Sequence, residues 1–567
     1  MRVLRFRPEY FEMWHSEFKG YNAQVFRRDL LAGITVAAVA LPLALAFGVA
    51  SGVTAAAGLV TAILAGFIIG GLGGAGYQIS GPTGAMSAVL IVLASRYGLE
   101  GVWVAGVMAG ILILLLGLFN LGQIVNFIPS AVIAGFTSGI AVIIFIGQID
   151  NLLGVQTEGA ENALVKLAHY FRFDYAPNLA AIGLSVLVIL VMILWPQRWN
   201  ARFPGSLLGL IAATLLAALL KLEVPVIGSI PQTILLDQRL LPANIPWEHI
   251  TELVMPALSV AALGSIESLL CGTVAGRMTG SKLYAKQELI AQGVGNIVIP
   301  FFGGVPATAA IARTSVAIKS GGATRMTSLI HSATLLLAAL VLAPVISQVP
   351  LAALAGVLAV TAWRMNEWAE IREIFHRRFK SAMFAFISTL IATVALDLTQ
   401  AIILGIGLSA LIFVFQSSQA KVLFAPVSAE KMRADGYEMQ YDANRILVVY
   451  ITGPLFFGTV NTFNSVLEKL NGNQDIILSL RTVPLLDTTG IAAIEHLIHQ
   501  LESEGRRVYL SGLTEPVRSY LERAGVIQSL GQDRIFWSAY EAIMAADHYR
   551  ANVKRHTEEF ASLKPTP

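Results

Sequence analysis

The sequence predicts an α-helical polytopic membrane protein with a small α/β domain at its C-terminal end. Of the 567 residues, 55% are hydrophobic and only 13% are charged, whereas a soluble domain usually has about 25% charged residues. The charge is also unevenly distributed. Long apolar runs dominate from 29 to 418, and the composition becomes that of an ordinary soluble protein from 419 to 567. We therefore expect a large membrane part followed by a soluble domain.

Bulk properties exclude several classes of protein. The net charge of +3 is too small to indicate a nucleic-acid partner. A single cysteine, Cys271, excludes an intrachain disulfide and a cysteine-rich metal site. The sequence also lacks a nucleophile–base motif, a phosphate-binding glycine loop and a metal-spaced His/Cys cluster. We therefore expect a protein that is not an enzyme and that needs no cofactor.

The apolar runs give fourteen candidate membrane spans, several of them shorter than the roughly 20 residues that a full crossing requires. The candidates are 32–50, 53–71, 82–95, 101–120, 127–149, 177–195, 205–221, 253–275, 287–302, 306–319, 327–348, 350–363, 381–397 and 399–417. With the N-terminus inside, the inner loops are rich in Arg and Lys, Arg325 among them. The long outer loops 150–176 and 222–252 are acidic. This distribution and the even count predict that both termini are cytoplasmic.

The fourteen spans divide into seven plus seven, and an odd number of spans in each repeat makes the second copy inverted. Spacing supports this division: Pro42 lies near the middle of span one and Pro82 opens span three, 40 residues later. Ile266 and Pro306 have the same separation in spans eight and ten. The predicted parts are the N-terminal segment 1–28, the repeats 29–252 and 253–418, a linker 419–423, the α/β domain 424–551 and a flexible tail 552–567.

Spans three and ten open alike, with a glycine-rich approach followed by proline and small residues. The two openings read Gly81-Pro82-Thr83-Gly84 and Val305-Pro306-Ala307-Thr308. Each helix start would present unpaired N–H groups and the positive end of a helix dipole. Two such starts that face one another form an anion site without a buried lysine. The alternative is that these residues only permit kinks and close helix packing.

Few ionisable residues fall inside the predicted spans. Glu267 lies in the middle of span eight, and Arg313 lies in span ten. A buried carboxylate can carry a proton or act as an oxygen ligand of a hard cation such as Na⁺. The alternative is a structural ion pair between Glu267 and Arg313. Arg28, Asp29, Glu100 and Asp397 are expected at the membrane edge.

The run from Gln287 to Gly293, with Gly295-Asn296, Phe302-Gly303-Gly304 and Ile311-Ala312-Arg313-Thr314, closely resembles the sulfate permease (SulP) family of anion transporters. The run Ala40-Leu41-Pro42-Leu43-Ala44-Leu45-Ala46-Phe47 resembles it as well. The resemblance implies a fourteen-span, seven-plus-seven fold with core and gate domains. It also implies a homodimer that works by an elevator-like movement.

Carried over residue by residue, Phe47, Thr83 and Ala312 match positions that line the family's anion pocket, whereas Leu43 stands where some members have glutamine. Together with the two helix openings and the charge of Arg313, these matches predict a substrate site formed by Phe47, Thr83, Gly84, Ala85, Ala310, Ile311, Ala312 and Arg313. Glu267 matches the position linked to cation coupling, and Cys271 stands where sodium-coupled relatives have threonine. Because a thiol is a poor ligand for a hard cation, this difference favours H⁺ over Na⁺ at Glu267.

The soluble part alternates apolar strands and amphipathic helices, which predicts a small α/β domain. Strands are expected near 445–450, 475–480 and 508–510, and helices over 491–504 and 516–524. The domain resembles a STAS domain, and the run Asp487-Thr488-Thr489-Gly490 matches the phosphorylation loop of related anti-sigma-factor antagonists. Thr488 is thus a regulatory candidate; the alternative is that it caps the following helix. The domain is expected to stabilise a dimer or to bind a cytoplasmic regulator.

We therefore predict a secondary active transporter of a small oxyanion in a bacterial inner membrane. Bicarbonate, sulfate and C4-dicarboxylates all stay open as substrates. The alternatives are a membrane-anchored STAS sensor with vestigial transport and a nucleobase permease of the same fold.

Overall fold

The computed structural model of the protein describes residues 7–122, 129–157, 163–172, 176–196, 199, 203–396, 398–418, 421–467 and 474–562. These residues belong to two compact units, Met1–Ser409 and Ala410–Pro567. The division lies close to the predicted boundary between the membrane part and the soluble domain.

The first unit is built from helices, and every predicted span contains helical residues. In chain order the helices are α1 (Arg7–Glu17), α2 (Ala23–Ala50), α3 (Ala55–Leu72), α4 (Gly84–Leu118), α5 (Ser130–Gly147), α6 (Ile149–Leu153), α7 (Ala163–Arg172), α8 (Leu179–Leu194), α9 (Gly205–Leu219), α10 (Ile250–Thr279), α11 (Ala285–Val298), α12 (Ile311–Lys319), α13 (Met326–Ile346), α14 (Leu351–Met365), α15 (Trp368–His376), α16 (Lys380–Ala395) and α17 (Leu398–Ser417). Short 3₁₀ turns occupy Pro242–Asn244, Trp247–His249 and Ile299–Phe302.

Six helical segments of the described residues are long and apolar enough to cross a membrane. They are Ala23–Ala50, Ala55–Leu72, Gly84–Leu118, Ser130–Leu153, Trp247–Thr279 and Met326–Ile346. Predicted spans three and four both lie in α4, where Gly98 breaks the helical conformation with φ 69°. Because only glycine adopts that backbone geometry readily, the break falls where the sequence separates the two spans.

The helices of the first unit pack in two groups. In one group α4 packs on α10 and α11, and α13 packs on α2 and α3. In the other, α5 packs on α16, and α14 packs on α8. Glycines allow the closest approaches. A side chain on Gly293 would lie 2.6 Å from the backbone N of Leu114, so α11 and α4 touch backbone to backbone.

Two short strands lie between these helices, β1 (Ser80–Gly81) directly before α4 and β2 (Thr308–Ala309) shortly before α12. They pair antiparallel, with Ser80 opposite Ala309 and Gly81 opposite Thr308. The two half-helices predicted at corresponding positions of the two repeats are therefore joined by a hydrogen-bonded ribbon. The second half-helix does not open at Pro306 as predicted but begins at Ile311, because Thr308 and Ala309 pair in β2. An antiparallel pair is the arrangement expected of inverted copies.

Asp29, which is expected at the membrane edge, is held by residues at the start of α13. It is fully buried, and its carboxylate accepts hydrogen bonds from the backbone N atoms of Ala323 and Thr324 at 2.7 and 3.2 Å. The hydroxyls of Thr324 and Thr327 also donate to it, at 2.6 and 2.9 Å. A carboxylate can be buried here because these donors, at the N-terminal end of α13, compensate its charge. Asp397 lies outside the described residues.

The second unit contains the predicted α/β domain. Its strands are β3 (Lys421–Pro426), β4 (Ile446–Thr452), β5 (Asp475–Thr482), β6 (Val508–Ser511) and β7 (Ile535–Phe536), and they follow this order across the sheet. Its helices are α18 (Ala429–Ala434), α19 (Val460–Leu467), α20 (Thr488–Ser503), α21 (Glu515–Arg523), α22 (Val526–Leu530) and α23 (Ala539–Ser562). Strand β3 is antiparallel to β4, and the remaining pairs are parallel. Separate apolar clusters cover the two faces of the sheet.

The structure confirms the predicted strands and helices of this domain and shifts two of its boundaries. Strand β3 begins inside the predicted linker 419–423, because residues from Lys421 onward pair along β4. The predicted tail 552–567 begins inside α23, which continues to Ser562. Residues 419–420 and 563–567 lie outside the described residues.

Candidate anion-binding site

The ribbon places two helix N-termini beside each other. In the first half, Thr83 is the N-cap of α4 and its side-chain oxygen accepts from the backbone N of Met86 at 3.3 Å. In the second half, Ala310 precedes α12, and its own N–H donates to the carbonyl of Ile79 at 2.9 Å. Among the described residues no side chain caps α12, so the N–H groups of its first turn have no side-chain capping partner there. Of the residues predicted for the site, Thr83, Gly84, Ala85, Ala310, Ile311, Ala312 and Arg313 all lie at these two starts.

Phe47 also lies at the site, although it comes from α2. A Cβ built on Gly84 would be 3.2 Å from Cε1 of Phe47 and 2.8 Å from both Cδ1 of Ile144 and Sδ of Met365. The first turn of α4 therefore meets side chains of α2, α5 and α14. Sequence reasoning missed Ile144 and Met365, because an apolar residue within an apolar span carries no signal of its position.

Arg313 supplies a positive charge beside the ribbon. Its guanidinium is buried, and Nη2 donates to the carbonyl oxygen of Pro82. Nη1 has no hydrogen-bond partner in the described part of the chain, and a Cβ on Gly81 would lie only 2.6 Å from it. A side chain at position 81 would therefore displace the free end of Arg313. A buried cation with a free donor next to two helix N-termini makes this region favourable for an anion.

Glu267 does not form the ion pair with Arg313 that was one alternative for these residues. Its Oε2 accepts from the hydroxyl of Thr83 at 3.0 Å. No ion pair between Glu267 and Arg313 occurs within the residue ranges that the structure describes, because Arg313 is turned toward Pro82. The carboxylate is instead tied to the N-cap of α4.

Thr308, in β2, contacts the helix that carries Glu267. Thr308 Oγ1 lies 3.1 Å from Ser268 Oγ and 3.5 Å from the carbonyl of Gly264. Sequence reasoning quoted Thr308 only as part of a helix opening and did not assign it to the site. The sequence did contain a signal for Thr308: it is a hydroxyl residue at the second opening, as Thr83 is at the first.

Cys271, predicted beside Glu267 for cation coupling, is directed elsewhere. Its Sγ donates to Thr314 Oγ1 at 3.3 Å, and the same oxygen accepts from the backbone N of Ile79 at 3.0 Å. The thiol thus links α10 to α12 and to the approach of β1. This contact gives Cys271 a packing role.

In the second unit, Thr488 is not the helix cap that one alternative proposed. Asp487 is the N-cap of α20, and its Oδ1 accepts from the backbone N of Gly490 at 2.7 Å. Thr488 is the first helical residue and its side chain is exposed. An aspartate at this position fits the preference of N-caps for carboxylates.

Comparisons with known proteins identify the family of the chain. The sulfate permease family model matches residues 26–389, and the STAS domain model matches residues 440–542. YvdB of Bacillus subtilis, named as a candidate sulfate transporter, is 36% identical over 542 residues, which cover 92% of this chain and 98% of YvdB. The bicarbonate transporter BicA of Synechocystis is 30% identical over 541 residues, covering 91% of this chain and 94% of BicA.

Two solved structures have similar folds. The transmembrane domain of a cyanobacterial BicA superimposes with a TM-score of 0.61 at 29% identity, covering 67% of this chain and 98% of that domain. The murine anion transporter Slc26a9 in its inward-facing state has a TM-score of 0.83 at 18% identity, covering 96% of both chains. At that low identity the second likeness concerns the fold.

The fold, the paired half-helices and these relatives define a multi-pass membrane transporter of anions with a C-terminal STAS domain. The chain belongs to the sulfate permease family.

Proposed function

We propose that the protein is a secondary active transporter that moves a small oxyanion together with a cation. The hydrogen bond between Glu267 and Thr83 is the observation that supports coupling most directly. It joins a carboxylate to the residue that caps one of the two helix starts. A negative charge on Glu267 would repel an anion at these starts, and a bound cation would remove that repulsion. Each ligand then favours binding of the other, typically by 1–3 kcal/mol.

A proton is the favoured coupling ion. A hard cation such as Na⁺ needs several oxygen ligands. Here Cys271 occupies the position one turn after Glu267 and its thiol contacts Thr314. Protonation of Glu267 needs no further ligand, and the Thr83 hydroxyl can reorient to donate or accept.

The transported anion belongs to the class of bicarbonate, sulfate and C4-dicarboxylates. Relatives named for sulfate and for bicarbonate both cover most of this chain. Helix N-termini and one guanidinium recognise negative charge, which all three anions share.

An elevator-like movement fits the two groups of helices. Phe47 and the helix starts belong to one group, whereas Ile144 and Met365 belong to the other and meet Gly84 across the contact. Sliding one group against the other would uncover the site to one side at a time. We further propose a homodimer in a bacterial inner membrane, with cytoplasmic termini and a STAS domain that binds a cytoplasmic regulator. The basic inner loops and the bacterial relatives support this location.

The test is uptake into proteoliposomes that contain the purified full-length protein. Labelled bicarbonate, sulfate and succinate are offered with an inward H⁺ gradient, an inward Na⁺ gradient or neither. We expect accumulation of at least one anion above its outside concentration with the H⁺ gradient. Uptake of none of the three under any gradient would refute the transport proposal, and accumulation with Na⁺ alone would refute the preference for H⁺.

A further inference from the structure

Arg325 was predicted to be a loop residue on the cytoplasmic side, but its side chain is fully buried at the start of α13. Glu17, the last residue of α1, compensates its charge. Arg325 Nη2 and Nε donate to Oε2 of Glu17 at 2.6 and 3.0 Å, and the backbone N of Arg325 donates to Oε1 at 2.6 Å. The rings of Tyr10 and Trp14 on α1 lie 5.9 and 5.3 Å from the guanidinium carbon. Helix α1 therefore forms one wall of a buried charge site.

The other side of Arg325 holds the end of α3. Its Nη1 donates to the carbonyl oxygens of Gly71 and Gly73, at 2.7 and 3.3 Å. The hydroxyl of Tyr10 donates to the same Gly71 carbonyl at 3.1 Å. Both donors thus satisfy carbonyls at the C-terminal end of a helix, where the helix itself provides no partner.

A second buried charge, Glu288 on α11, holds the residues that follow. Its Oε2 accepts from the backbone N of Gly74 at 2.9 Å, and its Oε1 accepts from the side-chain amides of Gln78 and Gln292 at 2.9 and 3.0 Å. The amide of Gln292 also donates to Ser80 Oγ at 3.1 Å. Ser80 is the first residue of β1, so the contacts run from α1 to the ribbon.

Residues 73–79 have no helix or strand of their own. Arg325 holds the carbonyls at the start of this segment, and Glu288 holds Gly74 and Gln78 within it. The segment also packs without spare room, since a Cβ on Gly74 would lie 2.1 Å from the carbonyl oxygen of Tyr284. Its position is therefore set by these two buried charged residues.

We propose that Glu17, Arg325 and Glu288 are positioning residues for anion binding: they fix residues 71–80 and thereby the ribbon and the Thr83 cap. Helix α1, which contributes no residue to the site, then determines how tightly the anion binds. Loss of Glu17 leaves the buried Arg325 without its counter-charge, which is costly and which the neighbouring Gly71 and Gly73 carbonyls cannot offset. This inference rests on transport through the ribbon site proposed above.

The test compares Glu17→Gln with Glu12→Gln in full-length protein. Glu12 lies on the same helix and is exposed, so its variant has the same loss of charge without the buried contact. In proteoliposomes with the best anion from the panel above, we expect Glu17→Gln to raise KM about tenfold, with Vmax within about twofold of the original protein. Glu12→Gln should leave both constants unchanged, and Glu17→Asp, which keeps the charge, should recover part of the affinity.

Hydrogen–deuterium exchange adds a readout that does not depend on transport. Glu17→Gln should speed exchange about tenfold in residues 71–80, with no comparable change in α16. Equal KM values for Glu17→Gln and Glu12→Gln, with lower thermal stability of the former, would make the contact merely structural and would overturn the inference. A failure of the original protein to transport any anion would instead refute the proposed function. If Glu17→Gln does not fold, Glu17→Asp is compared with Glu12→Gln instead. A KM of Glu17→Asp equal to that of the original protein would then overturn the inference.

Discussion

The two helix starts at the ribbon look alike in sequence but differ in structure. The start of α4 is closed: Thr83 is only 8% exposed, it caps the helix, and Phe47, Ile144 and Met365 surround the first turn. The start of α12 is open, since Ile311 is 41% exposed and no side chain caps the helix. A capped start has already used part of its hydrogen-bonding capacity. The comparison suggests that α12 offers N–H groups to the anion, while α4 links the anion to Glu267.

The largest expected effect comes from Glu267→Gln, which would make the coupling group permanently neutral. Concentrative uptake should fall to equilibration, a loss of about tenfold or more in accumulation, because no cation is then needed to neutralise the site. The accumulation is measured as uptake into proteoliposomes driven by an H⁺ gradient. Glu248→Gln, an exposed glutamate just before α10, is the control. Undiminished accumulation in Glu267→Gln would show that Glu267, and with it the start of α4, has no part in cation coupling.

Bulk at the open start should have the next largest effect. Ala312→Phe places a ring over the first turn of α12, and we expect KM to rise about tenfold, or roughly 1.4 kcal/mol of lost binding. Ala333→Phe, at an exposed alanine of α13, should leave KM unchanged. KM is measured from initial uptake rates. Equal KM values for the two variants would contradict anion binding at the start of α12.

Thr83→Val tests the closed start more gently. It removes both the cap of α4 and the hydrogen bond to Glu267, and the loss of an N-cap costs about 1 kcal/mol. We expect KM to rise about fivefold when the H⁺ gradient is present and less when it is absent, because the cation link is lost. Thr54→Val is the control. Thr54 is the N-cap of α3, and its side-chain oxygen accepts from the backbone N of Ala57 at 3.1 Å. An equal rise of KM in both variants would mean that the effect of Thr83→Val comes from the lost helix cap and not from the lost bond to Glu267.

The smallest effect is expected at Gly81. Gly81→Ala would push the free end of Arg313 from its place, and because that end can move, KM should rise only about twofold to threefold. Gly183→Ala on α8, where an added Cβ meets no atom within 4 Å, is the matched control. Binding of labelled anion in detergent measures the shift. Tighter binding in Gly81→Ala would show that Arg313 opposes the anion.

The sequence predicted the helical membrane part, the two half-helices and the α/β domain because each of these depends on local chemistry. Apolar runs identify segments that can be buried in a bilayer, and a proline with small residues marks a helix start. Alternating apolar strands and helices mark the soluble domain. The same local patterns placed Thr83 and Gly84 at a helix start and singled out Glu267 as an ionisable residue within a span, whereas Ala312 followed only from the family resemblance.

Only the tertiary structure decided which of these residues touch one another. Arg313 meets Pro82, Glu267 meets Thr83, and Glu17 meets Arg325 across sequence separations of 231, 184 and 308 residues. The sequence placed Arg325 in a loop and Asp29 at the membrane edge and indicated the burial of neither, since burial depends on distant donors and acceptors that a local pattern does not contain. The unequal roles of the two helix starts have the same origin: the openings resemble each other, but the helices packed against them are different.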